Sequence, residues 1–320
     1  MVDLTHRVVA ANGIRIHLVE AGAGPVVLLV HGFPESWYSW RHQLRSLSAA
    51  GYRAVAIDVR GYGRSSAPTA IEAYRMTQHV ADNVGVLDAL AIDQAVVVGH
   101  DWGAPIAWTS ALLRPDRFRA VVGLSVPWAP PTGRRPLEAF RSLAGDQQFY
   151  IEYFQQPGVA EAEIERDVRG WLTGMYYSCS GDGAGLGGGA MALVAPGTEM
   201  RSRFVVPDGE LPWLTDADLD VYVDEFERSG FVGPLNRYRN IDRDWEDLQA
   251  MRGRPIEVPA LFVGGDRDGP TLWGRRNIER FPDTVPNMRG VHVLAGCGHW
   301  TQQERAAEVD ALLVAFLGGL

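Results

Sequence analysis

The chain has 320 residues, 46% hydrophobic and 22% charged, with a formal net charge of −9. That is enough apolar material for one large core with a smaller inserted domain, and too much for a disordered chain. The negative charge opposes binding to nucleic acid or to an anionic membrane surface.

The N-terminal MVDLTHRVVAANG has no basic region followed by an apolar one, and apolar runs such as Pro25 to Val30 are far too short to span a bilayer. The expectation is a cytosolic protein without membrane insertion. Ile14–Val19, Val26–Val30, Arg53–Ile57, Ala95–Val98 and Ala120–Leu124 read as strands buried on both faces, because their β-branched runs are continuous. Ser36–Ala50 and Tyr74–Leu90, lying between them, are long enough for helices. The alternation predicts an α/β fold with a mostly parallel sheet. At VPWAPPTGRR the alternation stops, and residues 129–250 read as helices and loops rich in Tyr, Phe and Trp. Within them GDGAGLGGGA, at 181–190, lacks an adjacent strand and a GK[ST] continuation, so it reads as a mobile loop and not as a phosphate cradle. From Val258 strands return in PALFVGG and near Val291–Leu294, and the chain ends in a helical TQQERAAEVDALLVAFL. The division expected is a core of 1–128 and 251–320 interrupted by a helical cap of 129–250.

The chemistry concentrates in VVVGHDWGAPIAW, where a strand enters Gly99-His100-Asp101-Trp102-Gly103 and a helix leaves it. This is the setting of a nucleophile elbow, with aspartate as the nucleophile and small residues two positions to either side. An oxyanion would need two backbone N–H donors, one from the residue after the nucleophile and one from the loop after an earlier strand; Trp102 and Phe33 occupy those places. A base must come later, and His299 in AGCGHW lies between a strand and the final helix. Its orienting carboxylate falls in FVGGDRDG, where Asp266 and Asp268 both qualify. All 30 basic residues are arginine, which excludes lysine Schiff-base and Walker-type chemistry. Cys179 and Cys297 lack CxxC spacing and read as reduced thiols, Cys297 a buried one; the 8 histidines contain no metal-ligand pair. No cofactor and no metal are expected.

With these motifs placed, the chain resembles the epoxide hydrolases of the α/β-hydrolase superfamily, both bacterial members and the hydrolase domain of the mammalian soluble enzyme. The likeness runs through HGFPESWYSWRHQ at 31–43, DVRGYGRSS at 58–66, VGHDWGA at 98–104, FYIEYFQQPGVAEAE at 149–163, GPLNRYRNIDRDWE at 233–246 and GCGHWTQQE at 296–304. The resemblance implies an α/β-hydrolase fold with an inserted helical cap, and it places nucleophile, acid and base on Asp101, Asp268 and His299. It places two proton-donating cap tyrosines on Tyr150 and Tyr238, with Tyr153 the rival to Tyr150 on residue physics alone. A small epoxide and water are the implied partners, with detoxification as one role; a homodimer is left open. Haloalkane dehalogenation with the same aspartate is the competing activity, although the asparagine usual there is Phe33 here. A ligand-binding protein without turnover is the third reading. One departure is Arg237, where the family often has tryptophan: pointing inward it would favour a polar or acidic substrate, and the favoured expectation is a solvated, outward side chain.

Overall fold

A computed structural model describes residues 3–183 and 192–320, so the glycine run read as a loop lies, over residues 184–190, outside the described residues. The chain opens with β1 (Thr5–Ala11), β2 (Ile14–Ala21), β3 (Val26–Val30), α1 (Arg41–Ala49), β4 (Arg53–Ile57), α2 (Met76–Ala89), β5 (Ala95–His100), α3 (Gly103–Leu113) and β6 (Phe118–Leu124). The eight-stranded sheet has the order β1-β2-β4-β3-β5-β6-β9-β10, with β9 (Ala260–Gly265) and β10 (Met288–Leu294) arriving late in the chain. In this sheet β2 is antiparallel to both β1 and β4, and the remaining pairings are parallel. The strand β1 is absent from the expected strands: it lies at the sheet edge with most of its residues exposed, and its apolar run, Val8–Ala11, is short. Its signal was the Asn12-Gly13 pair: both residues have positive φ and close a two-residue hairpin between Ala11 and Ile14.

Alternation along the strands explains the two-sided core. Leu28, Val30, Val55 and Val97 face one side with Ala107 and Trp108 of α3, whereas Val27, Leu29, Ala54 and Val96 face the other with Leu44 of α1 and Leu313 of the last helix. Each fully buried aliphatic side chain contributes roughly 1.5–3 kcal/mol of apolar transfer, so continuous runs such as VVLLV are what a sheet covered on both faces requires.

Between β6 and β9 lie α4 (Pro136–Ala144), α5 (Tyr150–Tyr153), α6 (Val159–Glu165), α7 (Val168–Cys179), α8 (Asp216–Ser229), α9 (Val232–Tyr238) and α10 (Ile241–Asp247), with a short ribbon of β7 (Gln148–Phe149) and β8 (Leu193–Val194). After β9 come α11 (Gly269–Trp273), α12 (Arg275–Glu279) and α13 (Phe281–Thr284); after β10, the final helical stretch divides into α14 (Thr301–Glu304) and α15 (Ala306–Gly318). The inserted helices are tied down on the loops at the carboxyl ends of the strands. Tyr176 donates to the Pro34 carbonyl at 2.5 Å, Trp300 Nε1 donates to the Tyr176 carbonyl at 2.8 Å, and Arg41 reaches Asp218 at 3.2 Å. Among the described residues no helix is long and apolar enough to cross a membrane. Both cysteines are free thiols, Cys297 fully buried and Cys179 partly so.

Candidate active site

The turn after β5 is built for close approach. Asp101 sits at φ +48°, a left-handed conformation that non-glycine residues seldom adopt, and which costs of order 1–3 kcal/mol unless the surroundings impose it. A Cβ on Gly99 would meet the Gly103 carbonyl oxygen at 1.9 Å, so strand and helix approach here only because both positions lack side chains. The result is an Asp101 carboxylate presented above the sheet edge. Its Oδ1 accepts the Phe33 backbone N–H at 2.7 Å, and its Oδ2 lies 3.3 Å from His299 Nε2.

On its other side the imidazole meets Asp268, with 2.8 Å between Nδ1 and Oδ1. Asp268 is fully buried, and its Oδ2 accepts both the Thr271 N–H, at 3.1 Å, and the Thr271 hydroxyl, at 2.6 Å. Asp266, its sequence rival, is exposed and turns away to accept the Gly296 N–H at 2.7 Å. The turn that follows β9 therefore separates two carboxylates that residue chemistry could not tell apart.

The cap supplies the other side of the cavity. Tyr150, at the start of α5, and Tyr238, at the end of α9, line the same cavity as Phe33, Asp101, Asp268 and His299, their rings 6.1 Å apart. Met175, Cys179, Met200 and Trp273 give most of the remaining wall an apolar character. Tyr153 is elsewhere: its hydroxyl donates to Glu163 Oε2 at 2.5 Å inside the cap. Trp102 does not line the cavity, but its indole packs perpendicular to the Tyr238 ring with centroids 5.2 Å apart.

Charge in this cavity is organised around the imidazole. Burial by itself would raise the Asp101 pKa, but the hydrogen bond and charge of His299 outweigh it and hold the carboxyl below its ordinary value of 3.8. Burial likewise opposes the imidazolium, yet the charge of Asp268 together with contacts to both carboxylates lifts His299 well above 6.5. The two shifts favour a carboxylate on Asp101 facing an imidazolium on His299. Burial, reinforced by the nearby Asp101 charge, pushes both Tyr150 and Tyr238 upward, so both phenols stay protonated at neutral pH.

Several residues within the sequence motifs support the site. His100 is fully buried and bridges Glu35 Oε2 and the His299 carbonyl, each at 2.7 Å. Glu304 accepts the N–H groups of Gly298 and Trp300, each at 3.0 Å, and so grips the loop on both sides of His299. For His100 the available signal is its place directly before Asp101, whereas Glu304 lies five residues after His299 and carries no such mark.

Arg237 corrects an expectation. It is neither solvated nor part of the cavity wall: it is 1% exposed, ion-paired with Asp244, and donates to the Tyr74 carbonyl. A buried guanidinium is tolerated because α10, starting three residues after α9 ends, brings a carboxylate to it.

The profile described as alpha/beta hydrolase fold matches residues 25–306. Epoxide hydrolase B of Mycobacterium tuberculosis is 48% identical, the match covering 98% of each chain. Bifunctional epoxide hydrolase 2 of Rattus norvegicus is 40% identical over 98% of this chain and 56% of its own length. Among solved structures, an epoxide hydrolase from an endophytic Streptomyces superposes with a TM-score of 0.94 at 58% identity, covering 99% of this chain and 96% of that one. A fold shared over whole chains, at these identities, makes this chain a member of the epoxide hydrolases of the α/β-hydrolase fold.

Proposed function

We propose that the protein hydrolyses epoxides to vicinal diols through an ester on Asp101, in a cavity between the core of residues 1–128 and 251–320 and the cap of residues 129–250. Ionised Asp101 attacks an epoxide carbon through Oδ2 and the C–O bond opens. The oxygen that departs takes a proton from Tyr150 or Tyr238. Ester formation removes the Asp101 charge that had helped to hold His299 protonated. The imidazolium then loses its proton, which balances the one the phenolate regains, and His299 becomes a base.

In the second half-reaction His299, oriented by Asp268, takes a proton from water as the water oxygen adds to Asp101 Cγ. The oxyanion forms on Oδ1, the atom already aligned with the Phe33 N–H at 2.7 Å, and the Trp102 amide at the start of α3 serves as the second donor. Collapse returns the carboxylate, and the diol leaves with its proton while the imidazolium is restored. The observation that carries this reading is the pair of protonated phenols sharing one cavity with a strained, ionised aspartate: an opening epoxide needs a proton, whereas a departing halide needs none. A single turnover of styrene oxide in water carrying heavy oxygen tests it. Label is expected in the Asp101 carboxylate; label in the diol alone would defeat the ester mechanism.

A further inference from the structure

Arg237 is buried beside the proposed donor Tyr238 without reaching the cavity. Its guanidinium lies over the Trp102 ring, 4.8 Å from the centroid, while the same indole packs perpendicular to the Tyr238 ring. Asp244 pairs with it and also accepts the Met76 N–H at 2.6 Å, so the cation is anchored to α2 of the core as well as to α10 of the cap. Stability alone does not call for this arrangement, since well-packed apolar residues in place of a buried ion pair are often as stable or more so. The neighbour that gains from the cation is the indole face, which attracts it electrostatically and is pinned by it.

We propose that Arg237 is a positioning residue for the ring-opening half-reaction: its cation–π contact fixes Trp102, and Trp102 in turn holds Tyr238 where it donates to the departing oxygen. The inference rests on the ester mechanism proposed above. It separates the two half-reactions by the parts of Trp102 they use: ring opening depends on the indole that Arg237 fixes, whereas ester hydrolysis depends on His299, Asp268 and the Trp102 backbone N–H, which the start of α3 holds in place whatever the side chain does.

The test uses the full-length protein with styrene oxide, following formation and decay of the Asp101 ester by rapid quench and intact mass. Arg237→Met combined with Asp244→Asn removes the cation without stranding a buried carboxylate. Ester formation is expected to slow by roughly five- to thirtyfold, the rate equivalent of a desolvated cation–π contact, with ester decay unchanged. Arg237→Lys keeps a cation and is expected to recover most of the ester-forming rate. Wild-type ester formation in the double variant, a lysine variant as slow as the methionine one, or an equal fall in both half-reactions would each overturn the proposal. If the double variant does not fold, Arg237→Lys decides alone, because the weaker stacking of an ammonium predicts a smaller loss confined to ester formation; loss in both steps or in neither refutes it. Absence of any ester in the wild-type protein would instead refute the mechanism on which the inference rests.

Discussion

Replacing Tyr150 and Tyr238 by phenylalanine, singly and together, isolates proton donation from packing. Both rings pack on Phe154 and on each other, contacts that phenylalanine preserves. Tyr238→Phe also removes a side-chain hydrogen bond with Trp102, so the stability of each variant is read beside its rate. In the ring-opening transition state each hydroxyl would face a developing alkoxide, and a hydrogen bond to a charged group is worth about 1.5–3 kcal/mol. Each single variant is therefore expected to form the Asp101 ester roughly 10- to 150-fold more slowly. The surviving phenol partly compensates, so the losses are not additive. The double variant lacks any positioned acid, and its loss should exceed that of either single variant, reaching roughly 10²–10⁴. Single-turnover ester formation, read by intact mass beside thermal unfolding, measures both quantities. A double variant that opens styrene oxide within about threefold of wild type while remaining folded would refute the assignment of the tyrosines as acids.

His299→Gln should still form the ester but release it roughly 10²–10⁴-fold more slowly, so that protein carrying the mass of one substrate accumulates; lost turnover with no adduct would contradict the role given to the base. Asp268→Asn is expected to slow ester decay strongly, and Asp266→Asn to leave it near wild type, because only Asp268 meets the imidazole; steady-state diol formation by the two variants compares them. The ion pair also predicts how stability follows pH. Asp101 is held below 3.8, so its contribution is present above that value and is lost as pH falls through the lower folded-state pKa. His299 is raised above 6.5, so its contribution is complete below that value and is lost as pH rises through the higher folded-state pKa. Denaturant midpoints should thus decline on the alkaline side, and His299→Gln should flatten that decline; an unchanged alkaline limb would count against the charged resting pair.

The core strands and the elbow that carries Asp101 are legible in the order of residues, because both are local. VVLLV and AVVVGH can be satisfied only between two apolar layers, and a turn flanked by Gly99 and Gly103 is legible from the spacing of residues that lack side chains. Even β1, passed over, carried its signal in two adjacent residues, Asn12 and Gly13. Where near-equivalent side chains point depends instead on contacts between distant segments. Asp266 and Asp268 stand two residues apart in one turn, yet one caps Gly296 and the other is sealed against His299. Tyr150 and Tyr153 share one short helix, but Glu163 from α6 claims the second hydroxyl and leaves the first to the cavity. The burial of Arg237 depended on Asp244, Tyr74 and Trp102, from three separate parts of the chain. A side chain's propensity and spacing describe its own segment, whereas its direction is set by partners from other segments, and those meet only once the chain has folded.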